Sequence, residues 1–199
     1  MRLGIMGGTF DPIHLGHLAM AESAREIFQL KEIIFIPSAC PPHKAEQKIA
    51  SKVDRLMMTY LATKSNENFL VSPMEMMRDG FSYTLDTVNE LHKKYGDDTE
   101  LFFIIGSDSM ADLSHWHKAQ ELIGKAYFLA AARPGIELNF EEVRKVFGRT
   151  GLSHIHQFIT PGFEISSTAI RERVKLGRSI KYLVPEEVEK YIYKENLYQ

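Results

Sequence analysis

Residues 3–17 read Leu-Gly-Ile-Met-Gly-Gly-Thr-Phe-Asp-Pro-Ile-His-Leu-Gly-His, a pattern typical of the start of an α/β fold. Leu3, Ile5 and Met6 form a short apolar run, which predicts a buried strand. Gly7 and Gly8 follow at once and let the backbone turn at φ values that other residues resist. The stretch therefore predicts a strand that ends in a tight turn with backbone N–H groups pointing outward.

A helix is predicted to begin near His14, because apolar residues recur behind it at helical spacing, at Met20, Ala24, Ile27 and Phe28. Its first N–H groups then face the space above the glycine turn, since the first turn of a helix has no internal acceptors for them. Helix N-termini bind anions through these groups. Strand, turn and helix together predict a phosphate site.

Chain length and composition indicate one domain. With 199 residues, of which 44% are hydrophobic, the chain can bury one substantial core. Its 24 Lys and Arg against 26 Asp and Glu leave a net charge of -2, which provides no general attraction to nucleic acid or to anionic membranes. No segment has the ~18 to 20 apolar residues that span a bilayer, and a secretory pattern is absent. We therefore expect a cytoplasmic protein, and the single cysteine, Cys40, fits a reducing compartment.

Further strands and helices alternate along the chain. Compact apolar runs predict strands at 31–37, 101–105, 127–131 and 155–159, with an extended segment at 69–78. Helical spacing and capping signals predict helices at 51–63, 84–95 and 140–147, and two more that begin near Ser166 and Pro185. The helix at 51–63 is expected to bury an apolar side made of Leu56, Met57, Tyr60 and Leu61.

This alternation predicts an α/β fold with a Rossmann-like, doubly wound parallel sheet and helices on both faces. The expected unit is a single domain over residues 1–199, with a C-terminal helical segment at about 166–199 packed on it. Ligands of such sheets bind at the carboxyl ends of the strands, near the point where the strand order reverses. That rule selects the loops at 7–9, 37–44, 106–108 and 133–135.

His14 and His17 are the first candidates for a catalytic or ligand-binding role. They lie three residues apart at the predicted helix start, so their side chains project to the same side and can contact one ligand. Two ordinary surface histidines would give the same pattern, but the glycine turn before them and Gly16 between them favour a ligand site. Zinc fits less well, because the spacing is not the i, i+4 of a helical metal pair and no further His or Cys completes the shell.

Two segments resemble a known superfamily. Residues 7–17, Gly-Gly-Thr-Phe-Asp-Pro-Ile-His-Leu-Gly-His, are similar to the first motif of the nucleotidylyltransferases, whose His-x-Gly-His element grips the phosphates of a nucleoside triphosphate. Residues 165–171, Ile-Ser-Ser-Thr-Ala-Ile-Arg, resemble the second motif. From its own residues this second segment predicts a helix capped by Ser166. The resemblance implies in addition that Arg171, one turn into that helix, holds the polyphosphate.

The middle of the chain resembles one family within that superfamily, the bacterial nicotinate-nucleotide adenylyltransferases. The matching segments are residues 81–87, 105–108, 113–116 and 133–135, so the resemblance covers residues 3 to about 173. It implies transfer of the adenylyl group of ATP to nicotinate mononucleotide, giving nicotinate adenine dinucleotide and pyrophosphate. ATP and nicotinate mononucleotide are the partners implied, and a homo-oligomer is compatible with them.

The resemblance also implies the site residues, in three groups. Residues that act on the transferred phosphate are His14, His17, Lys44 and Arg171. The ATP-binding residues are Gly7, Gly8, Thr9, Phe10, His14, His17, Gly106, Asp108, Ser166, Ser167, Thr168 and Arg171. The mononucleotide-binding residues are Thr9, Lys44, Ser82, Tyr83, Thr84, Trp116 and Arg133, with Trp116 stacked on the pyridine ring.

The implied reaction needs no general base. The acceptor is a phosphate monoester with a second pKa of about 6, so it is mostly a dianion at neutral pH. We expect catalysis by in-line placement and by stabilisation of charge on the pyrophosphate. Mg²⁺ is expected to bridge phosphate oxygens, with most of its ligands from water and substrate and no side chain assigned as a ligand. Whether His14 and His17 are charged stays open, because a helix N-terminus opposes protonation and a triphosphate favours it.

Alternative functions differ in the acceptor or in catalysis itself. A related adenylyltransferase could use nicotinamide mononucleotide or phosphopantetheine, although the latter leaves Trp116 and residues 81–87 unexplained. A non-catalytic ATP sensor could use the same glycine turn, but binding alone requires fewer convergent cations than His14, His17 and Arg171. Aminoacyl-tRNA synthetases share a similar His-x-Gly-His corner, yet this chain has no room for an anticodon-binding domain.

Overall fold

Six parallel strands form one sheet in the computed structural model of the chain. The structure describes residues 1–40, 49–106, 109–110, 112–132, 139–162 and 164–199. The strands are β1 (Arg2–Gly8), β2 (Glu32–Pro37), β3 (Phe69–Val71), β4 (Glu100–Gly106), β5 (Tyr127–Ala132) and β6 (Ile155–Ile159). Their order, β3-β2-β1-β4-β5-β6, confirms the predicted doubly wound sheet and reverses direction between β1 and β4.

Helices cover both faces of this sheet. They are α1 (Leu15–Ile27), α2 (Lys52–Thr63), α3 (Thr84–Tyr95), α4 (Ala119–Ile123), α5 (Phe140–His154), α6 (Ser167–Lys175) and α7 (Glu186–Lys194). Short 3-10 helices lie at Met74–Met77 and Leu113–His115. Across the described ranges, no helix is both long enough and apolar enough to cross a membrane.

Each face of the sheet has its own apolar cluster, because alternate residues of a strand point to opposite sides. Leu3 and Ile5 of β1 pack with buried residues of α3, α4 and α5. Met6 packs on the other face with residues of α1, α2, α6 and α7. Both faces of β4 are therefore covered, which explains why its run from 101 to 105 is continuously apolar. Helices α6 and α7, in the C-terminal segment, share their cluster with the sheet itself.

The predicted apolar side of α2 is wrong. Met57 and Tyr60 are 40% and 55% exposed, and Leu56 and Leu61 are half-buried. The residues of α2 that are buried instead are Arg55, Met58, Thr59, Ala62 and Thr63. Its polar members tolerate burial because each finds a hydrogen-bond acceptor: the Thr59 and Thr63 hydroxyls donate to the carbonyl one turn earlier, at 2.7 and 2.9 Å.

Three further expectations need correction. The extended segment predicted at 69–78 stops after β3 and becomes a 3-10 helix, because Pro73 has no N–H to donate to a strand ladder. Helix α5 continues beyond 147 to His154 through a kink at Gly148, whose φ of 62° only glycine adopts readily. On α1, the small Ala21 and Ala24 face the core, so that the helix can approach the sheet closely, while Ile27 is 54% exposed.

Arg55 joins the carboxyl ends of β1 and β2. Its side chain is fully buried, and Nη1 donates to the carbonyls of Thr9 and Ser38, both at 2.7 Å. The remaining donors reach the carbonyls of Ala39 at 3.3 Å and Ala50 at 3.2 Å. Burial lowers the pKa of the guanidinium, and the nearby Asp11 carboxylate opposes this shift. One cation thus satisfies the carbonyls of both strand-end loops.

Replacing Arg55 by Lys should therefore destabilise the protein. A lysine ammonium concentrates its donors at one point and cannot span the same carbonyls, so at least one stays buried without a partner. We expect the free energy of unfolding in urea to fall by about 3 kcal/mol. Arg25→Lys, which alters a partly exposed ion pair with Glu22, is the control and should change it by less than about 1 kcal/mol. Equal losses in the two variants would contradict the role of Arg55.

Candidate active site

A cleft of about 390 Å³ opens at the carboxyl ends of β1 and β4, where the strand order reverses. This is the position at which open parallel sheets bind ligands. Eight of the predicted site residues line it: Gly7, Gly8, Thr9, His17, Ser82, Thr84, Gly106 and Trp116. Three others, Lys44, Asp108 and Arg133, lie outside the described residues.

The glycines of the first motif act differently from the prediction. Strand β1 continues through Gly7 and Gly8, and neither has a positive φ; the left-handed conformation falls on Phe10, at φ 49°. A Cβ on Gly7 would lie 2.9 Å from the Phe103 ring, and one on Gly8 would lie 2.9 Å from the Phe10 ring. Both glycines are therefore required by close aromatic packing, and Phe10 is a core residue beneath the site, only 3% exposed.

Gly106, at the end of β4, has a different environment. A Cβ built on it would meet no described atom within 4 Å. Packing against the described residues therefore does not require a glycine here. Gly106 lines the cleft, where a bare backbone permits the close approach of a ligand.

His14 and His17 form a stacked pair at the start of α1. Their ring centroids are 3.6 Å apart with an interplanar angle of 23°, and the edge of Phe10 meets the His17 ring at 5.2 Å. The backbone N–H of His14 donates to Nδ1 of His17 at 3.2 Å. Because a backbone N–H can only donate, Nδ1 of His17 is unprotonated and Nε2 carries the hydrogen. His17 therefore offers the cleft a neutral N–H donor.

Burial keeps His14 neutral as well. The residue is 7% exposed, and desolvation lowers its pKa from 6.5 to about 4. Its Nδ1 is buried and has no hydrogen-bond partner among the described residues. Desolvation by burial thus favours the neutral form of this ring.

The N-terminus of α1 is less available to an anion than predicted. The N–H of Leu15 donates to the carbonyl of Leu183, at 3.0 Å, so the C-terminal segment already occupies that donor.

The second motif lies against the loop that precedes α1. Ser166 caps α6 by accepting from the N–H of Ala169, and the Ser167 hydroxyl donates to the carbonyl of Pro12 at 2.9 Å. Arg171 donates to the carbonyl of Asp11 at 2.8 Å and to the Thr168 hydroxyl at 3.3 Å. The structure thus brings both motifs together, although Ser166, Ser167, Thr168 and Arg171 stand beside the cleft and are not among its lining residues.

The other side of the cleft contains an aromatic wall and the start of α3. Trp116 is half-buried, edge-on to Phe103 at 6.2 Å and Phe128 at 6.3 Å, while His115 and His117 beside it are exposed. Tyr83 precedes α3 without capping it and stacks on His117 at 4.3 Å. Among the described residues the first turn of α3 therefore has no side-chain cap, and it contains the acidic Asp86.

Sequence reasoning missed a set of polar residues that shape this site, the buried Asp11, Arg55 and Glu75 and the half-buried Tyr198. Glu75 lines the cleft, accepts from the Thr87 hydroxyl at 2.6 Å, and has a pKa raised by burial. Ser82, in turn, accepts from the N–H groups of Ala39 at 3.1 Å and Cys40 at 3.4 Å, so its hydroxyl links two loops. Asp11 lies within the quoted motif, but single polar residues such as Arg55 and Glu75 give no spacing signal.

Known proteins resemble this chain over its whole length. The cytidylyltransferase-like family matches residues 5–173. A protein of Thermoanaerobacter sp., named a probable nicotinate-nucleotide adenylyltransferase, is 48% identical over 100% of this chain and 95% of its own length. A protein of Moorella thermoacetica with the same name is also 48% identical, over 100% and 92%. The structure of Plasmodium falciparum nicotinic acid mononucleotide adenylyltransferase complexed with NaAD has the same fold, with a TM-score of 0.81 at 20% identity, covering 99% of this chain and 97% of that one.

The lowered pKa of His14 predicts acid sensitivity. Between pH 6.5 and about 4 the unfolded chain binds a proton that the folded protein excludes, so stability falls as the pH falls through this window and is unaffected above it. From pH 7 to pH 5 this group alone should cost about 2 kcal/mol of unfolding free energy. In His14→Gln that part of the pH dependence should be absent from urea titrations. Exposed His115→Gln is the control, and parallel curves for wild type and His14→Gln would contradict the assignment.

Proposed function

Because the chain belongs to the nicotinate-nucleotide adenylyltransferases of the cytidylyltransferase-like family, we propose that it transfers the adenylyl group of ATP to nicotinate mononucleotide. The products are nicotinate adenine dinucleotide and pyrophosphate. The observation that supports this most directly is one cleft lined by His17, which stacks on the buried His14, on one side and by Trp116 and Thr84, at the start of α3, on the other. That is the layout a two-substrate transfer requires.

The acceptor phosphate attacks the α-phosphorus of ATP in line with the departing pyrophosphate. Its oxygen is already ionised at neutral pH, so no side chain has to remove a proton. The protein contributes alignment of the two substrates and donors aimed at the charge that develops on the leaving group.

The triphosphate side is assigned to His14, His17, Lys44 and Arg171. His17 presents its Nε2–H to the α and β phosphates, and the buried ring of His14 stacks behind it and fixes its orientation. Arg171 is 28% exposed and is the guanidinium beside this corner that can reach β and γ oxygens. Lys44 has the same role from the loop after β2, and Thr9 helps to hold the reacting centre.

The nucleoside parts of the two substrates occupy opposite ends of the cleft. The open backbone at Gly106, together with Asp108 and residues 166–168, is assigned to adenosine and its phosphates. Trp116 stacks on the pyridine ring, as its half-buried position permits. Residues 82–84 place the nicotinate carboxylate at the uncapped N-terminus of α3, and Arg133 contributes a cation from the loop after β5.

Mg²⁺ enters as part of the nucleotide substrate. It would neutralise part of the triphosphate charge, and water and substrate would supply most of its ligands. We place the enzyme in the cytoplasm, where ATP is abundant, with no nucleic-acid partner, since its net charge is -2.

Activity with the acid and amide mononucleotides tests this function. Purified protein with ATP and Mg²⁺ should release pyrophosphate when nicotinate mononucleotide is added, and kcat/KM should be lower with nicotinamide mononucleotide. Helix N-terminal donors favour the carboxylate over the neutral amide. Preference for the amide would reassign the acceptor, and ATP binding without pyrophosphate release from either would indicate a sensor.

Removing the His17 imidazole should reduce turnover. His17→Ala deletes a donor to the developing charge, so we expect kcat to fall by about 10²-fold or more. His17→Gln keeps an N–H donor and should recover part of the loss, whereas His115→Ala, an exposed residue of the same type, should retain kcat. Full kcat with only a raised KM in His17→Ala would contradict a role in the transition state.

A further inference from the structure

We propose that Tyr198 is a positioning residue for the triphosphate, acting on Arg171 through the carboxylate of Asp11. The inference rests on the proposed function, in which Arg171 binds phosphate oxygens. The three residues lie far apart in the sequence and meet beneath the first motif.

The carboxylate of Asp11 is buried, and its two oxygens differ in their hydrogen-bond partners. The residue is 2% exposed, and its Oδ1 accepts from the Tyr198 hydroxyl at 2.7 Å and from the N–H of Ala50 at 3.1 Å. Its Oδ2 has no hydrogen-bond partner in the described part of the chain. The nearest cation to it is Nη1 of Arg171, at 3.7 Å, too far for a hydrogen bond.

Arg171 thus binds a backbone carbonyl and still has part of its side chain exposed beside the cleft. Nη1 donates to the backbone carbonyl of Asp11, not to its carboxylate, and the side chain stays partly exposed beside the cleft. A buried carboxylate that loses a donor draws in the nearest replacement, because an unsatisfied ionised group is costly. Without the Tyr198 hydroxyl, that replacement is the guanidinium of Arg171. The hydroxyl therefore leaves Arg171 available to phosphate.

The backbone holds Tyr198 in this position. Tyr198 has a left-handed conformation, at φ 64°, which a residue with a bulky side chain adopts only when its surroundings impose it. Asn196 is also left-handed, at φ 53°, which asparagine tolerates well. The N–H of Leu197 donates to the carbonyl of Ile192 at 3.0 Å, and Leu197 and Tyr198 pack against the cluster of α1, α2, α6 and α7. Burial and the neighbouring Asp11 both raise the pKa of the Tyr198 hydroxyl, so it remains a donor.

Tyr191 provides a matched comparison. Its hydroxyl donates to Oδ1 of Asp54 at 2.8 Å, so it makes the same kind of bond from the same C-terminal segment. Asp54 lies in the first turn of α2 and has no contact with Asp11 or Arg171 among the described hydrogen bonds. Tyr191→Phe therefore removes an equivalent bond away from the site.

The test is the affinity for α,β-methylene-ATP with Mg²⁺, measured by titration calorimetry, together with both KM values. Tyr198→Phe should weaken analogue binding and raise the KM for ATP about five- to tenfold, the effect of one net hydrogen bond, and leave the KM for nicotinate mononucleotide within about twofold. Tyr191→Phe should change neither KM by more than about twofold. Its urea midpoint should fall about as much as that of Tyr198→Phe.

The coupling to Arg171 is tested in a second background. In Arg171→Ala, adding Tyr198→Phe should have no further effect on analogue binding, because the hydroxyl acts through that guanidinium. The same loss in both backgrounds, or equal effects of Tyr198→Phe and Tyr191→Phe, would overturn the proposal. Analogue binding that depends on Tyr198 in a protein without transfer activity would support the positioning role and reject the proposed function.

Discussion

The buried guanidinium of Arg55 is the interaction on which the rest of the site depends. Two neighbouring parallel strands end beside each other, and the carbonyls of the loops that follow need donors where water has little access. Arg55 supplies them from α2, and Asp11 offsets its charge. The position of Asp11 in turn determines where Arg171 and Tyr198 can bind. The charged groups that satisfy the buried carbonyls at the two strand ends therefore also position residues of the ligand site.

The two sequence motifs meet through hydrogen bonds to the protein itself. Ser167 and Arg171 of the second motif donate to the carbonyls of Pro12 and Asp11 in the first, and Leu183 accepts from Leu15. These bonds hold the two motifs against each other, although the bonded residues of the motifs lie 155 and 160 positions apart in the sequence.

The sequence predicted the features that depend on local patterns. The continuous apolar runs identified the strands, and the spacing of His14 and His17 placed both rings on one side of α1. Features that depend on distant partners were missed or misplaced. Arg55 gave no spacing signal because its acceptors lie on other segments, and Gly7 and Gly8 pack against aromatic rings that no local pattern brings near. Tyr198 could not be identified from a local pattern because its hydrogen-bond partner, Asp11, lies 187 residues away in the sequence.

The burial of His14 has a consequence for the end of the proposed catalytic cycle. A phosphate group held by full positive charges must overcome strong electrostatic attraction to leave. Under the proposed function, His17 donates to the pyrophosphate with the uncharged ring of His14 stacked behind it, so this corner would hold the leaving group by orientation more than by charge. Because product release limits the turnover of many enzymes, such a corner would favour rapid discharge of pyrophosphate and readiness for the next nucleotide.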